Sequence, residues 1–173
     1  MRARTFWKAV TADRTDLLDR LIGLLADRGI RYCIVGGQAV NAYAEPVVSL
    51  DLDVVIAVDQ LATAEALLRR AFTVEQFPHS LNVSAPDSDL RIQVQTDPRY
   101  APFVDRALPR LLLGVQLPVA RLEDILQGKV WAVMDASRRP SKRQKDLADI
   151  ARILEAFPAL RGHVPAEVLA KLF

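Results

Sequence analysis

Apolar residues at Leu17, Leu18, Leu21, Ile22, Leu24 and Leu25 recur at helical spacing and form a wide stripe. This predicts an amphipathic helix, ended by Gly29. The next run, RYCIVG, is short and apolar, and Gly36 and Gly37 stop it, so it reads as a buried strand. QAVNAYA is a short helix by propensity, limited by Pro46. LDLDVVIAV alternates at first and then becomes continuously apolar, which predicts a strand running into the core. DQLATAEALLRRA predicts a helix with Asp59 as its N-cap. FTVEQF, LNVSA and LRIQVQT are β-rich, the last two separated by the turn-rich PDSD. ALPRLLLG and VQLPVA suggest a further hairpin, although their prolines argue against it. From Leu122 the period becomes helical, in LEDILQGKVWAVMDA and KRQKDLADIARILEAF, and PAEVLAKLF adds a last short helix opened by Pro165. The order implies an α+β or mixed α/β core followed by a helical tail.

Composition narrows this only a little. The chain has 173 residues, enough for one domain with a sizeable core, and 51% of them are hydrophobic. A formal charge of +2 says little about partners. The single cysteine, Cys33, lies in an apolar run and reads as a small core residue, with no disulfide framework. Trp7, Trp131, Phe72, Phe77 and Phe157 are scattered and read as core or packing residues. His79 and His163 are far apart, and no His/Cys spacing suggests zinc. No run is apolar enough to span a membrane, and the first residues lack a signal-like apolar segment, so a cytoplasmic location is expected.

The candidate chemistry begins with SLDLDVV. On a strand, Asp51 and Asp53 project to the same side, while Leu52 and Val54 point into the core. Two like charges on one face repel, and a hard divalent cation (Mg²⁺, or Mn²⁺) removes that cost. Alone, this pattern also fits an acidic, solvated strand face. Gly36 and Gly37 sit where a strand turns into a helix, which suits backbone amides approaching an anion but equally suits a tight turn. Together the two motifs place a phosphate cradle beside a metal pair, if the two strands are neighbours.

The stretch YCIVGGQAVNAYAEPVVSLDLDVVIAV resembles the nucleotidyltransferases of the DNA polymerase beta superfamily, and is most similar to their toxin-type branch from abortive-infection, type IV toxin–antitoxin systems. Gly36, Gly37, Ala39, Pro46, Asp51 and Asp53 stand at that branch's motif positions. Ser49 replaces a threonine, and Val47 stands where an arginine is common, which removes a potential phosphate contact. The resemblance implies a nucleotidyltransferase-like mixed β-sheet flanked by helices over residues 1–120, with a C-terminal helical extension over 121–173 packed on it. It further implies a Lys on one helix and a Lys-Asp-x-x-Asp pattern on the next, matched by Lys129 and by Lys145, Asp146 and Asp149. Lys129 would then contact nucleotide phosphates and Asp146 would assist at the site. Gln38, the first residue after the glycines, is expected to line it.

Many enzymes of the superfamily carry a third carboxylate on a later strand. The matching strand here is LRIQVQT, with Arg91, Gln93 and Gln95 facing the site and Gln93 at the third position. Glutamine coordinates weakly and cannot accept a proton. Either a base comes from elsewhere, or none is needed, or catalysis has been lost; Asp89 and Asp97 are spare carboxylates, each also suited to a turn. The basic run Arg138, Arg139, Lys142, Arg143 and Lys145 fits either phosphate or nucleic-acid contact or a solvated connection.

The expected activity is metal-dependent transfer of a nucleoside monophosphate from a nucleoside triphosphate to a protein, RNA or small-molecule acceptor, with a toxin role and an antitoxin partner as implications of the resemblance. The alternatives are a catalytically impaired module that binds nucleotide or a partner, and an interaction protein with an incidental acidic pair.

Overall fold

The computed structural model describes Thr5, Phe6, Ala9 and residues 16–172; Trp7 lies outside the described residues. The leucine stripe forms helix α1 (Leu17–Asp27), whose Leu17, Leu18, Leu21 and Leu25 are buried. Strand β1 (Tyr32–Val35) follows, then a short helix α2 (Gly36–Val40). The glycines lie inside that helix rather than before it. Strand β2 (Asp51–Ile56) buries Leu52, Val54, Val55 and Ile56 and leaves Asp51 and Asp53 partly exposed.

Asp59 does not cap the next helix. A 3₁₀ turn over Val58–Gln60 precedes α3 (Leu61–Ala71), and Asp59 pairs with Arg31 at 2.9 Å instead. Strands β3 (Thr73–Phe77), β4 (Ser80–Ser84) and β5 (Arg91–Gln95) come next, then a short helix α4 (Pro102–Arg106). The proline-bearing hairpin does form, as β6 (Leu108–Leu112) and β7 (Val115–Val119). Its two-residue turn holds Leu113 at φ 54° and Gly114 at φ 78°, the doubly left-handed geometry that suits tight hairpins. Pro109 faces Pro118 across it. Pro109 is on the sheet edge, and β7 meets β1 at one register pair, Ile34 with Val119, so Pro118 interrupts little ladder. Helices α5 (Leu122–Met134), α6 (Pro140–Ala156) and α7 (Ala166–Leu169) complete the chain.

The seven strands make one mixed sheet in the order β3-β4-β5-β2-β1-β7-β6. Helices flank it, and α2, α5 and α6 pack against one another. A continuous apolar cluster runs from Leu17 to Val168 through the strands. Cys33 belongs to it, and burial pushes its thiol up to about 12, which makes it inert at neutral pH. Trp131 and Phe72 pack against this core, whereas Phe77 and Phe157 are exposed, because they lie at element ends beyond the covered surface. Among the described residues no helix is long and apolar enough to cross a membrane.

Register sets up the site. β1 and β2 are antiparallel with Val35 opposite Asp53, so the bend at Gly36–Gly37 lies directly beside the acidic pair. β2 and β5 are parallel, with Asp51 beside Arg91 and Asp53 beside Gln93. Gly36 has φ 70°, and a Cβ built there would overlap the Asp53 carboxylate. Only glycine meets both demands without strain. Gly36→Ala is therefore expected to cost about 1–3 kcal/mol of stability, from a strained backbone and a displaced Asp53. Urea unfolding checks this; an unchanged midpoint would refute the close approach.

Candidate active site

A cavity of about 440 Å³ opens between the end of β1, the strands β2 and β5, and the helices α5 and α6. Gly36 and Gly37 form part of its wall, as do Asp51, Asp53, Arg91, Gln93 and Gln95 from the sheet. Helix α5 contributes Ile125, Gly128, Lys129 and Ala132, one face at helical spacing. Helix α6 contributes Lys142, Lys145, Asp146, Asp149 and Arg152, again one face, while its Leu147, Ile150 and Ile153 are buried in the core. One amphipathic helix thus serves core and cavity together.

The two aspartates are not equivalent. Both oxygens of Asp51 are occupied, Oδ1 by Arg91 Nε at 2.8 Å and Oδ2 by Lys142 Nζ at 3.2 Å. No donor among the described residues reaches Asp53 within hydrogen-bond or ion-pair distance. Burial at the cavity floor pushes its carboxyl up to about 6, against the opposing pull of Lys129; the neighbouring Asp51 charge adds to the rise. An uncompensated carboxylate next to a second one, on a polar floor open to the cavity, is a donor set that fits a hard divalent cation. Among the described residues, no group of three or more His, Cys, Asp or Glu side chains is placed to hold a metal ion. Gln93 stands in register beside Asp53 on β5, the position where the resemblance leads one to expect a third carboxylate. Asp97 is turned away, capping a 3₁₀ turn through Arg99 N and pairing with the Arg99 side chain at 2.7 Å; Asp89 is not part of the cavity wall either.

Lys129 is buried, with Nζ between Asp146 Oδ1 at 2.9 Å and Asp149 Oδ2 at 2.7 Å. Burial alone would push the ammonium down; the two carboxylates more than reverse this and hold it above the ordinary lysine range. Asp146 is 2% exposed and takes a second cation, Arg138, at 2.8 Å on its other oxygen. The basic run is therefore divided. Arg138, Lys142 and Lys145 line the cavity, whereas Arg143 bonds the carbonyls of Asp135 and Arg138 at the helix start.

Gln38 is 1% exposed and does not line the cavity. Its Nε2 donates to Ser49 O at 3.1 Å, and its Oε1 accepts from Asn41, so it braces the loop that delivers Asp51. Asn41 also brackets Val47, accepting from its N–H and donating to its carbonyl. Arg152 completes this brace, reaching Asn41 Oδ1 and Glu45 O at 2.6 Å each and Asp149 Oδ1 at 2.7 Å. Sequence reasoning missed Asn41 and Arg152. The one available signal for Arg152 was its spacing from Asp149 and Lys145 along a single helical face.

A family model described as the nucleotidyl transferase AbiEii toxin of type IV toxin–antitoxin systems matches residues 35–173. The chain belongs to this family. No curated protein matches it in sequence. Among solved structures, ANT(2'')-Ia in complex with adenylyl-2''-tobramycin superposes with a TM-score of 0.60 at 13% identity, covering 90% of this chain and 94% of that one. The lincosamide antibiotic adenylyltransferase LnuA, lincomycin-bound, gives 0.53 at 10% identity over 79% and 95%. An antigenic nucleotidyltransferase-like protein from Paracoccidioides brasiliensis gives 0.51 at 19% identity over 99% and 85%. These likenesses establish the nucleotidyltransferase fold of this AbiEii-family chain.

Two substitutions should move stability in opposite directions. Asp53 binds its proton more tightly folded than unfolded, so its contribution is most favourable below about pH 4 and is lost as pH rises through about 6. In chelator at pH 7.5, Asp53→Asn is expected to stabilise by about 2 kcal/mol, roughly 5 °C in Tm, with little gain at pH 4. Lys129→Met leaves two buried carboxylates without their shared cation and is expected to destabilise by about 3 kcal/mol at pH 7.5. Calorimetry of both variants checks the pair; a destabilised Asp53→Asn at neutral pH would contradict the unpaired carboxylate.

Proposed function

We propose that this AbiEii-family chain transfers a nucleoside monophosphate from a nucleoside triphosphate to a separate acceptor, with a divalent cation held by Asp51 and Asp53. The observation that carries the reading is the bare Asp53 carboxylate beside the left-handed Gly36 bend, in a cavity whose wall also carries Asp51 and the cations Arg91, Lys129, Arg138, Lys142 and Lys145. Bound there, Mg²⁺ or Mn²⁺ would neutralise charge on the transferred group. The acceptor hydroxyl oxygen forms a bond to the α-phosphorus as its proton passes to solvent, the bond to the bridging oxygen breaks, and pyrophosphate departs with the electron pair.

The chain's own residues act around that exchange. Gly36 and Gly37, in the cavity wall against the Asp53 carboxylate, would offer backbone amides to phosphate oxygens bound beside it. Lys129 supplies a charge fixed in place by Asp146 and Asp149, already desolvated and so needing little reorganisation as charge develops. Asp146 orients Lys129 and Arg138. Gln38 acts one step back, by positioning the loop that carries Asp51.

The charged lining of the cavity nearly balances, with Arg91, Lys129, Arg138, Lys142, Lys145 and Arg152 against Asp51, Asp53, Asp124, Asp146 and Asp149, so the field alone selects no acceptor charge, and RNA, a protein and a small molecule all fit the reading. Membership of a toxin family supports growth inhibition as the outcome and a separately encoded antitoxin as its counterpart. Gln93 supports a second reading, nucleotide binding without turnover, since no carboxylate stands beside Asp53 on β5 to take the acceptor's proton.

Incubation with each α-labelled nucleoside triphosphate, Mg²⁺ and cell extract is expected to label one macromolecular or small-molecule fraction. Pyrophosphate release should accompany it, and Asp53→Ala should lower both at least about 100-fold. Calorimetric binding of a triphosphate with no pyrophosphate release would favour the second reading. Harmless overexpression of folded protein would remove the toxin role.

A further inference from the structure

The cavity holds two kinds of cation. Lys129 and Arg138 are fixed: they meet Asp146, which is 2% exposed, and Lys129 is itself buried. Lys142 and Arg91 differ. Each touches Asp51 through one contact, and the difference lies in the carboxylate: the Asp51 side chain is 27% exposed and that of Asp146 is 3% exposed, although Lys142 itself is no more open than Arg138. Pairs on a carboxylate still open to water, with about 1 kcal/mol as their order of magnitude, exchange more readily than pairs on a buried one. They also cap both oxygens of the carboxylate that a divalent cation at the acidic pair would need. Lys142 stands in the first turn of α6, one turn before Lys145, on the helix face that lines the cavity. Its ammonium, on a flexible stem, has only to swing from Asp51 to reach an anion in that space.

We propose that Lys142 and Arg91 are exchangeable counter-cations of Asp51. They hold its carboxylate while no divalent cation is present, and turn to phosphate oxygens once one is. This rests on the proposed use of Asp51 and Asp53 as metal ligands, and adds a consequence of its own. Metal binding releases two cations for polyphosphate, and polyphosphate draws the same cations off Asp51. The two ligands then bind with positive cooperativity beyond their direct contact, and linkage makes the effect reciprocal. Either ligand alone binds more weakly than it does beside the other.

The test measures Mn²⁺ binding by the electron-spin-resonance signal of free ion, and tripolyphosphate binding by calorimetry at buffered free Mn²⁺. Both are run on the intact chain, on Lys142→Gln and on Arg91→Gln. Without polyphosphate, each substitution is expected to tighten Mn²⁺ binding, by up to about fivefold. The factor by which Mn²⁺ strengthens tripolyphosphate binding is expected to fall at least about threefold in each. Lys142→Arg should restore most of that factor. Lys145→Gln removes the same charge where no carboxylate holds it among the described residues, so it should weaken tripolyphosphate binding and leave the factor unchanged. Equal factors in the parent, Lys142→Gln and Lys145→Gln would overturn the exchange and reduce Lys142 to part of a general positive field, with the metal reading intact. Loss of Mn²⁺ binding in Asp53→Asn but not in Lys142→Gln keeps that reading independent. If the parent binds no Mn²⁺ with or without tripolyphosphate, both the exchange and the metal reading fall.

Discussion

A buried ammonium between two aspartates holds the working parts of this protein together. Lys129 comes from one helix, and Asp146 and Asp149 come from the next. Taking three charges out of water is costly, and their mutual contact, with Arg138 on Asp146 and Arg152 on Asp149, offsets it. The arrangement therefore tolerates little sliding of α5 against α6. Through Arg138 and Arg152 it extends to the start of α6 and to the loop after α2. Helices that pack mostly by apolar contact thus acquire a fixed register over the sheet.

The sheet meets this frame with a deliberate imbalance. Asp51 is held by the exposed Arg91 and the half-buried Lys142, while Asp53 stands alone at the cavity floor with a raised pKa. Such a group opposes folding at neutral pH. Its place beside a left-handed glycine with no room for a Cβ shows that the backbone itself is shaped around it. Unfavourable local electrostatics, sustained by a well-packed surround, are typical of sites built to receive a ligand of opposite charge.

The family and the superpositions agree with that picture at the level of fold. The matched region begins at Val35, where β1 turns into α2, and runs through the helices that carry Lys129 and Asp146. The structural neighbours share the sheet and its flanking helices at 10–19% identity, so what they hold in common is architecture. In the cavity of this chain Gln93 stands beside Asp53, and α6 contributes Lys142, Lys145 and Arg152 together with Asp146 and Asp149.

The sequence by itself determined the elements and their inward faces. Period-2 and period-3.6 patterns are local properties of burial, so α1, β2, β5 and the start of α5 at Leu122 could be read from it. It also showed the two motifs, because glycine at a bend and paired aspartates on a strand are rare combinations with short-range causes. Only the tertiary structure decided which charges meet. Lys142 lies 91 residues from Asp51, Arg152 lies 111 from Asn41, and nothing periodic links them. The same holds for Gln38, whose polar side chain suits a ligand as well as it suits a loop carbonyl; its contact with Ser49 depends on how the chain returns after Pro46. Asp59 could have capped a helix, and pairs with Arg31 because the fold brings that stronger partner within reach. Hydrophobic patterning is written residue by residue, whereas ion pairing is settled by geometry that exists only once the core has formed.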